Sequence, residues 1–128
     1  MSELTSFAAL DRNPFIALTT YRKNGTPVMT PVWFVKQDRK LFIWTAVDSG
    51  KAKRLKNNPC VQLGPSNHSG KLLGAIETGR ARFVAKEKYP ALDQAFRAKY
   101  GWQVTLFAWI WKIQGHDHTY IEVTSPNS

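Results

Sequence analysis

The chain has 128 residues, 43% of them hydrophobic, a net charge of +9 and one cysteine. That length holds a single compact domain, the apolar fraction excludes a disordered chain, and the lone Cys60 excludes an intrachain disulfide and a cysteine-cluster metal site, as suits a reducing cytoplasm. The opening MSELTSFAALDRNPF lacks a secretory leader pattern and the longest apolar run, LFAWIW, is too short to span a bilayer, so a cytoplasmic protein with no membrane partner is expected.

In chain order, FIALTTY (15–21) is β-rich and leads through Asn24-Gly25, a tight-turn signal, into a returning strand VMTPVWFVK (28–36). Pro31 inside that run cannot donate to a ladder and argues for an edge, a bulge or a ligand-facing break. QDRK turns the chain into LFIWTA (41–46), which completes a meander. A short helix follows. Asp48 or Ser49 caps it, Ala52 and Leu55 face inward, and Pro59 ends it. CVQLG (60–64) reads as a buried strand and LLGAIETGRARFVA (72–85) as a long one, with Gly74 and Gly79 permitting bends or close approach. EKYPALDQAFRAKYG (87–101) places Leu92, Ala95, Phe96 and Tyr100 at helical spacing and stops at Gly101. VTLFAWIWKI (104–113) and TYIEV (119–123) close the domain as two more strands. The expected fold is mainly β: a small antiparallel barrel of six to seven strands with two short α-helices, in one domain over 1–128.

The charge is unevenly placed. Residues 48–88 carry nine Lys/Arg against three Asp/Glu, whereas residues 89–128 balance three against three. Such a concentration suggests an anionic partner docked in the middle third. Its densest part lies in WTAVDSGKAKRLKNNP (44–59). With Ser49 as N-cap, the free N–H groups of the first turn and the positive end of the helix dipole make an anion seat. Thr45 and Ser49 add hydroxyls, and Lys51 adds a full charge. Arg54 lies about 60° around the helix from Lys51, so both can flank one ligand, whereas Lys53 and Lys56 fall on another flank. A capped surface helix with solvated lysines would read the same way.

No nucleophile elbow, paired carboxylates or glycine-rich phosphate fingerprint stands out, so no catalytic residue is assigned. His116 and His118 could share one face as metal ligands, but no third ligand sits at sensible spacing and no metal is expected. His68 reads as loop decoration. Trp102, Trp109 and Trp111 read as core or dimer-interface mass, Cys60 as an inert thiol among apolar residues, and Tyr21 and Tyr120 as proton donors that nothing in the sequence places.

The stretches NGTPVMTPVWF, LFIWTAVDSGKAKRLKNNPCVQL and GAIETGRARFV resemble the pyridoxamine-phosphate-oxidase-like split-barrel family of flavin and deazaflavin proteins, over roughly residues 15–85. TPVWF, SGKAKRL and GRAR are closest to the short branch that uses the deazaflavin coenzyme F420. The resemblance implies a split barrel, with Thr30, Pro31, Val32 and Trp33 along the tricyclic ring. It implies Thr45, Ser49 and Lys51 at the phosphate, with Lys53 and Arg54 nearby. It also implies a homodimer with cofactor between subunits, so that Gly74 and Ala75 of one subunit approach the ring on the other. The chain stops soon after the barrel, which argues against pyridoxamine phosphate oxidation itself. The implied activity is hydride transfer from F420 to an unsaturated or carbonyl-conjugated small molecule. FMN is the alternative cofactor, and a non-catalytic flavin or deazaflavin carrier the alternative role. The phosphodiester and polyglutamate tail of F420 suit the excess positive charge better than the single phosphate of FMN. The basic stretch alone would also suit single-stranded nucleic acid, a weaker reading.

Overall fold

The computed structural model describes residues 14–37 and 40–124. The start of the chain, where no leader was expected, and the middle of the QDRK turn lie outside the described residues. β1 (Phe15–Tyr21) runs into β2 (Pro27–Val32) through the Asn24-Gly25 turn. There the Asn24 carboxamide accepts from Thr26 N at 3.0 Å and Gly25 takes φ +89°, a backbone region nearly closed to other residues.

The expected single strand over 28–36 is two. β2 ends at Val32, Trp33 stands outside the ladder, and β3 (Phe34–Gln37) pairs with β4 (Lys40–Ala46). Strands then follow as β5 (Cys60–Ser66), β6 (Glu77–Phe83) and β7 (His118–Thr124). All pairings are antiparallel, in the order β2-β1-β5-β6-β7-β4-β3. The two end strands, β2 and β3, are consecutive in the chain. Trp33 therefore carries the backbone from one sheet edge to the other, and Trp44 N donates to Trp33 O at 3.4 Å across the join. This closes a split barrel. Pro31 pairs with Ala17 on a strand that has one ladder neighbour, so its missing N–H costs nothing.

Alternation along the strands sorts two cores. Leu41 and Ile43 of β4 and Ile121 and Val123 of β7 fill the barrel with Ile16, Leu18 and Phe34. Phe42 and Trp44, on the opposite face of β4, pack outside it with Tyr120 and with helix residues Leu92, Phe96 and Val104. The described residues include three α-helices: α1 (Gly50–Asn57), α2 (Tyr89–Tyr100), preceded by a 3-10 turn, and α3 (Trp102–Gln114).

The third helix corrects the expectation of two helices and of a strand over 104–113. VTLFAWIWKI is apolar nearly throughout, and such a run carries neither a two-fold nor a 3.6-fold period to choose by. Its partner decides. α3 folds back on α2 and buries Val104, leaving Trp102, Trp109 and Ile113 at 61–72% exposure. The long strand expected over 72–85 shortens to β6, with Leu72 keeping only an isolated bridge to Ser66. Among the described residues, no helix is long and apolar enough to cross a membrane.

Candidate functional site

The turn from β4 into α1 makes the basic end of the site. Ser49 caps α1 as expected, its Oγ accepting from Ala52 N at 3.2 Å and lying 3.1 Å from Thr45 Oγ1. No acidic residue occupies the first turn. Lys51 does, against the helix dipole, where a stabilising sequence would carry Asp or Glu. Lys51 is half-buried and makes no hydrogen bond or ion pair with a described residue. Burial first, and the Arg54 cation second, hold its ammonium below the usual lysine value. Arg54 donates from Nε to the buried Thr20 Oγ1 at 2.6 Å, and its outer nitrogens have no hydrogen-bond partner among the described residues. The guanidinium folds over the start of the helix, and a Cβ on Gly50 would lie 2.8 Å from Arg54 Nη1. Burial and then the Arg22 cation lower Arg54 in turn. Arg22, Arg54 and Lys51 thus crowd one another with no carboxylate between them among the described residues. Uncompensated, desolvated positive charge of this kind marks a place for an anion.

From this end a cavity of about 710 Å³ runs beneath α3. Of the sequence-expected site residues it brings together Pro31, Val32, Trp33, Thr45, Ser49 and Lys51. Arg54 stands behind Lys51 and Lys53 is exposed on the other flank. Thr30 does not line the cavity. It alternates with Pro31 on β2, and its buried hydroxyl has no hydrogen-bond partner among the described residues. Gly74 and Ala75 lie elsewhere, on the exposed segment after β5, packed against Pro65 and Gly64. Cys60 is exposed rather than set among apolar residues. The two histidines of the HDH stretch go to different carboxylates, His116 Nδ1 to Asp48 at 3.1 Å and His118 Nε2 to Asp93 at 3.3 Å.

The wall of the cavity is aromatic, and most of it was not legible in the sequence. Phe96, Tyr100, Trp33, Trp44 and Trp111 form one stacked column, with successive centroids 5.9, 4.5, 5.4 and 4.7 Å apart and planes within 22°. Trp33 and Trp44 are covered on both faces, so neither can stack face-on upon a ligand; they offer ring edges. Phe107 meets Trp33 edge-on at 5.2 Å. Tyr100 is committed: its hydroxyl accepts from Phe34 N at 2.9 Å, lies 2.7 Å from Pro14 O, and is held well above its usual pKa by burial. Tyr120 faces the α2 side, donates to Asp93, and is raised by burial and by that bond. Neither tyrosine is poised to give up a proton. The missed residues come from α3, since Gln103, Phe107 and Trp111 at i, i+4, i+8 line the cavity only once that segment is helical.

A family model described as pyridoxamine 5'-phosphate oxidase matches residues 5–123. The chain belongs to that family. A search of curated proteins returned no match. Among solved structures, a conserved hypothetical protein of Mycobacterium tuberculosis superposes with a TM-score of 0.72 at 18% identity, over 98% of this chain and 81% of that one. An FAD-binding protein of Mesorhizobium loti gives 0.66 at 19%, over 98% and 89%, and the HutZ heme storage protein of Vibrio cholerae 0.69 at 17%, over 97% and 88%. At these identities the likeness is one of fold.

Does this oxidase-family chain fit a phosphorylated tricyclic cofactor? Two hydroxyls, a half-buried ammonium with no partner among the described residues, and a glycine whose missing side chain leaves room for a guanidinium suit a phosphate. A cavity with no carboxylate in its described lining and a wall of aromatic ring edges suits the ring.

Proposed function

We propose that the chain binds a deazaflavin or flavin cofactor, coenzyme F420 ahead of FMN, and serves as an oxidoreductase acting on an unsaturated or carbonyl-conjugated small molecule. Lys51 carries this reading, as a desolvated cation without a partner among the described residues at the mouth of an aromatic cavity. Thr45, Ser49 and Lys51 hold the phosphate, and Arg54, anchored by Thr20, closes on it from the side. Pro31, Val32 and the edge of Trp33 border the ring, with Thr30 behind them. The bound cofactor supplies the hydride; the protein positions it and keeps water from the ring. Arg22, Arg54 and Lys53 extend the positive field past one phosphate, which favours the polyanionic F420 tail over FMN.

The chain works as a homodimer in this reading. The exposed apolar strip of α3 (Trp102, Leu106, Trp109, Ile113) and the exposed Leu73 and Ile76 support association, and Gly74 and Ala75 would then reach the cofactor of the other subunit. A carrier without turnover is the second reading. It is favoured by the lack of any carboxyl, imidazole or thiol among the described cavity-lining residues. Anaerobic mixing of the protein, loaded with chemically reduced cofactor, with a panel of conjugated carbonyl acceptors separates the two. Acceptor-dependent reoxidation establishes the oxidoreductase; reoxidation at the same rate with and without acceptor establishes the carrier.

A further inference from the structure

The aromatic column continues beyond the cavity wall. Phe96, Tyr100, Trp33, Trp44 and Trp111 stack in series, and all of these but Phe96 border the open space. Behind Trp44 lies a second group of rings. Tyr120 is its cross-strand partner and is buried. It adjoins the column through Phe96 at 5.4 Å and through His118, whose ring lies 5.2 Å from Tyr120 and 6.1 Å from Trp44. The two tyrosines of this array differ in what takes their hydroxyl hydrogen. Tyr100 faces backbone carbonyls, those of Pro14 at 2.7 Å and Phe34 at 3.0 Å, which are not bases. Tyr120 donates to Asp93 Oδ1, a carboxylate able to keep a proton. Asp93 also meets His118 Nε2 at 3.3 Å, and its side chain is 38% exposed, so a proton held there has a way to water.

We propose that the column and the Tyr120–Asp93 pair form a radical relay that carries a one-electron oxidising equivalent out of the cavity. A one-electron oxidant in the cavity takes an electron from Trp33, Trp44 or Trp111, and the stacked indoles share the hole. Tyr120 then gives an electron to the indole and its phenolic proton to Asp93. The indole is restored, the oxidant has gained one electron, Tyr120 is a neutral phenoxyl and Asp93 a carboxylic acid. As an intact phenol Tyr120 keeps its proton; the loss of an electron makes it a strong acid, and the carboxylate takes the proton at that moment. Tyr100 cannot serve, because carbonyl partners would leave it a far less stable radical cation. The relay rests on the column and the cavity, not on which molecule fills the cavity.

Pulse radiolysis of the full chain in azide solution tests this, because the azide radical removes one electron from an indole and leaves as azide. Of the five tryptophans, Trp102 and Trp109 are exposed and lie outside the column. The double variant Trp102→Phe, Trp109→Phe therefore restricts indole oxidation to Trp33, Trp44 and Trp111. In that background the indolyl absorption should decay as a phenoxyl absorption grows, at a rate independent of protein concentration. Tyr120→Phe and Asp93→Asn should each abolish this growth, whereas Tyr100→Phe should leave it unchanged. Asp93→Asn keeps an acceptor for the Tyr120 hydroxyl but cannot hold its proton, which separates a relay from a packing role. No phenoxyl growth, a growth rate proportional to protein concentration, or growth that persists in Tyr120→Phe or in Asp93→Asn overturns the proposal. The experiment needs no bound cofactor, so its failure and that of the cofactor reading are distinguishable.

Discussion

Replacing Lys51 with Met keeps the apolar stem and removes the charge, and the structure assigns opposite signs to its two consequences. Without ligand, the ammonium is unfavourable three times over: it is desolvated, it faces Arg54, and it opposes the dipole at the start of α1. Lys51→Met should therefore stabilise the free protein by about 0.5–1 kcal/mol, raising its thermal midpoint by roughly 2–4 °C. With ligand, the variant loses a charge-assisted contact to phosphate, so cofactor affinity should fall by about 1.5–3 kcal/mol, a factor of roughly 10 to 150. The pH dependence follows the same logic. Lys51 is depressed in the free protein and raised when an anion binds, so binding takes up a proton. Affinity is greatest below the depressed value and declines as pH rises through it; Lys51→Met should flatten that decline. Differential scanning calorimetry and fluorescence titration read the two effects separately. A destabilised Lys51→Met protein, or one that binds cofactor as tightly as the parent, would refute the reasoning.

Gly50→Ala puts a methyl 2.8 Å from Arg54 Nη1; the guanidinium must move, so cofactor titration should show a severalfold loss of affinity with stability within about 0.5 kcal/mol of the parent. Trp33→Ala removes the middle ring of the stacked column and should cost about 3 kcal/mol in chemical denaturation, diminish the near-ultraviolet circular dichroism, and alter the absorbance of bound cofactor. Burial raises the Glu122 carboxyl, but hydrogen bonds from Arg82 and Lys40 outweigh it and hold the group below its usual value. Its contribution is thus present above the unfolded carboxylate pKa and lost as pH falls through the folded one. Glu122→Gln should lower the midpoint at pH 7 and narrow the gap to the parent below about pH 4, as acid-dependent melts would show.

The β1–β2 hairpin and the capped helix α1 were legible because short-range chemistry writes them, whereas the expected three-strand meander divides into two hairpins at opposite ends of the sheet. Asn24-Gly25 demands its turn and Ser49 its cap. What was missed depends on partners remote in sequence. The end of β2 at Trp33 is set by the passage from one edge of the sheet to the other, which no local pattern encodes. α3 is helical because it packs on α2 and over Trp44; its own apolar residues would suit a strand. With α3 misread, Gln103, Phe107 and Trp111 could not be placed beside Trp33, and the aromatic half of the cavity stayed hidden. Arg54 was expected beside the phosphate, but its anchor, Thr20 on β1, lies 34 positions away. That hydrogen bond holds the Arg54 side chain over the start of α1.

The central claim is that the basic turn and aromatic cavity hold a phosphorylated tricyclic cofactor. Its most direct test is a side-by-side fluorescence titration of the purified protein with coenzyme F420 and FMN at two salt concentrations. The account predicts saturable binding that weakens with salt, tighter for F420. Failure to bind either cofactor at low salt would contradict it.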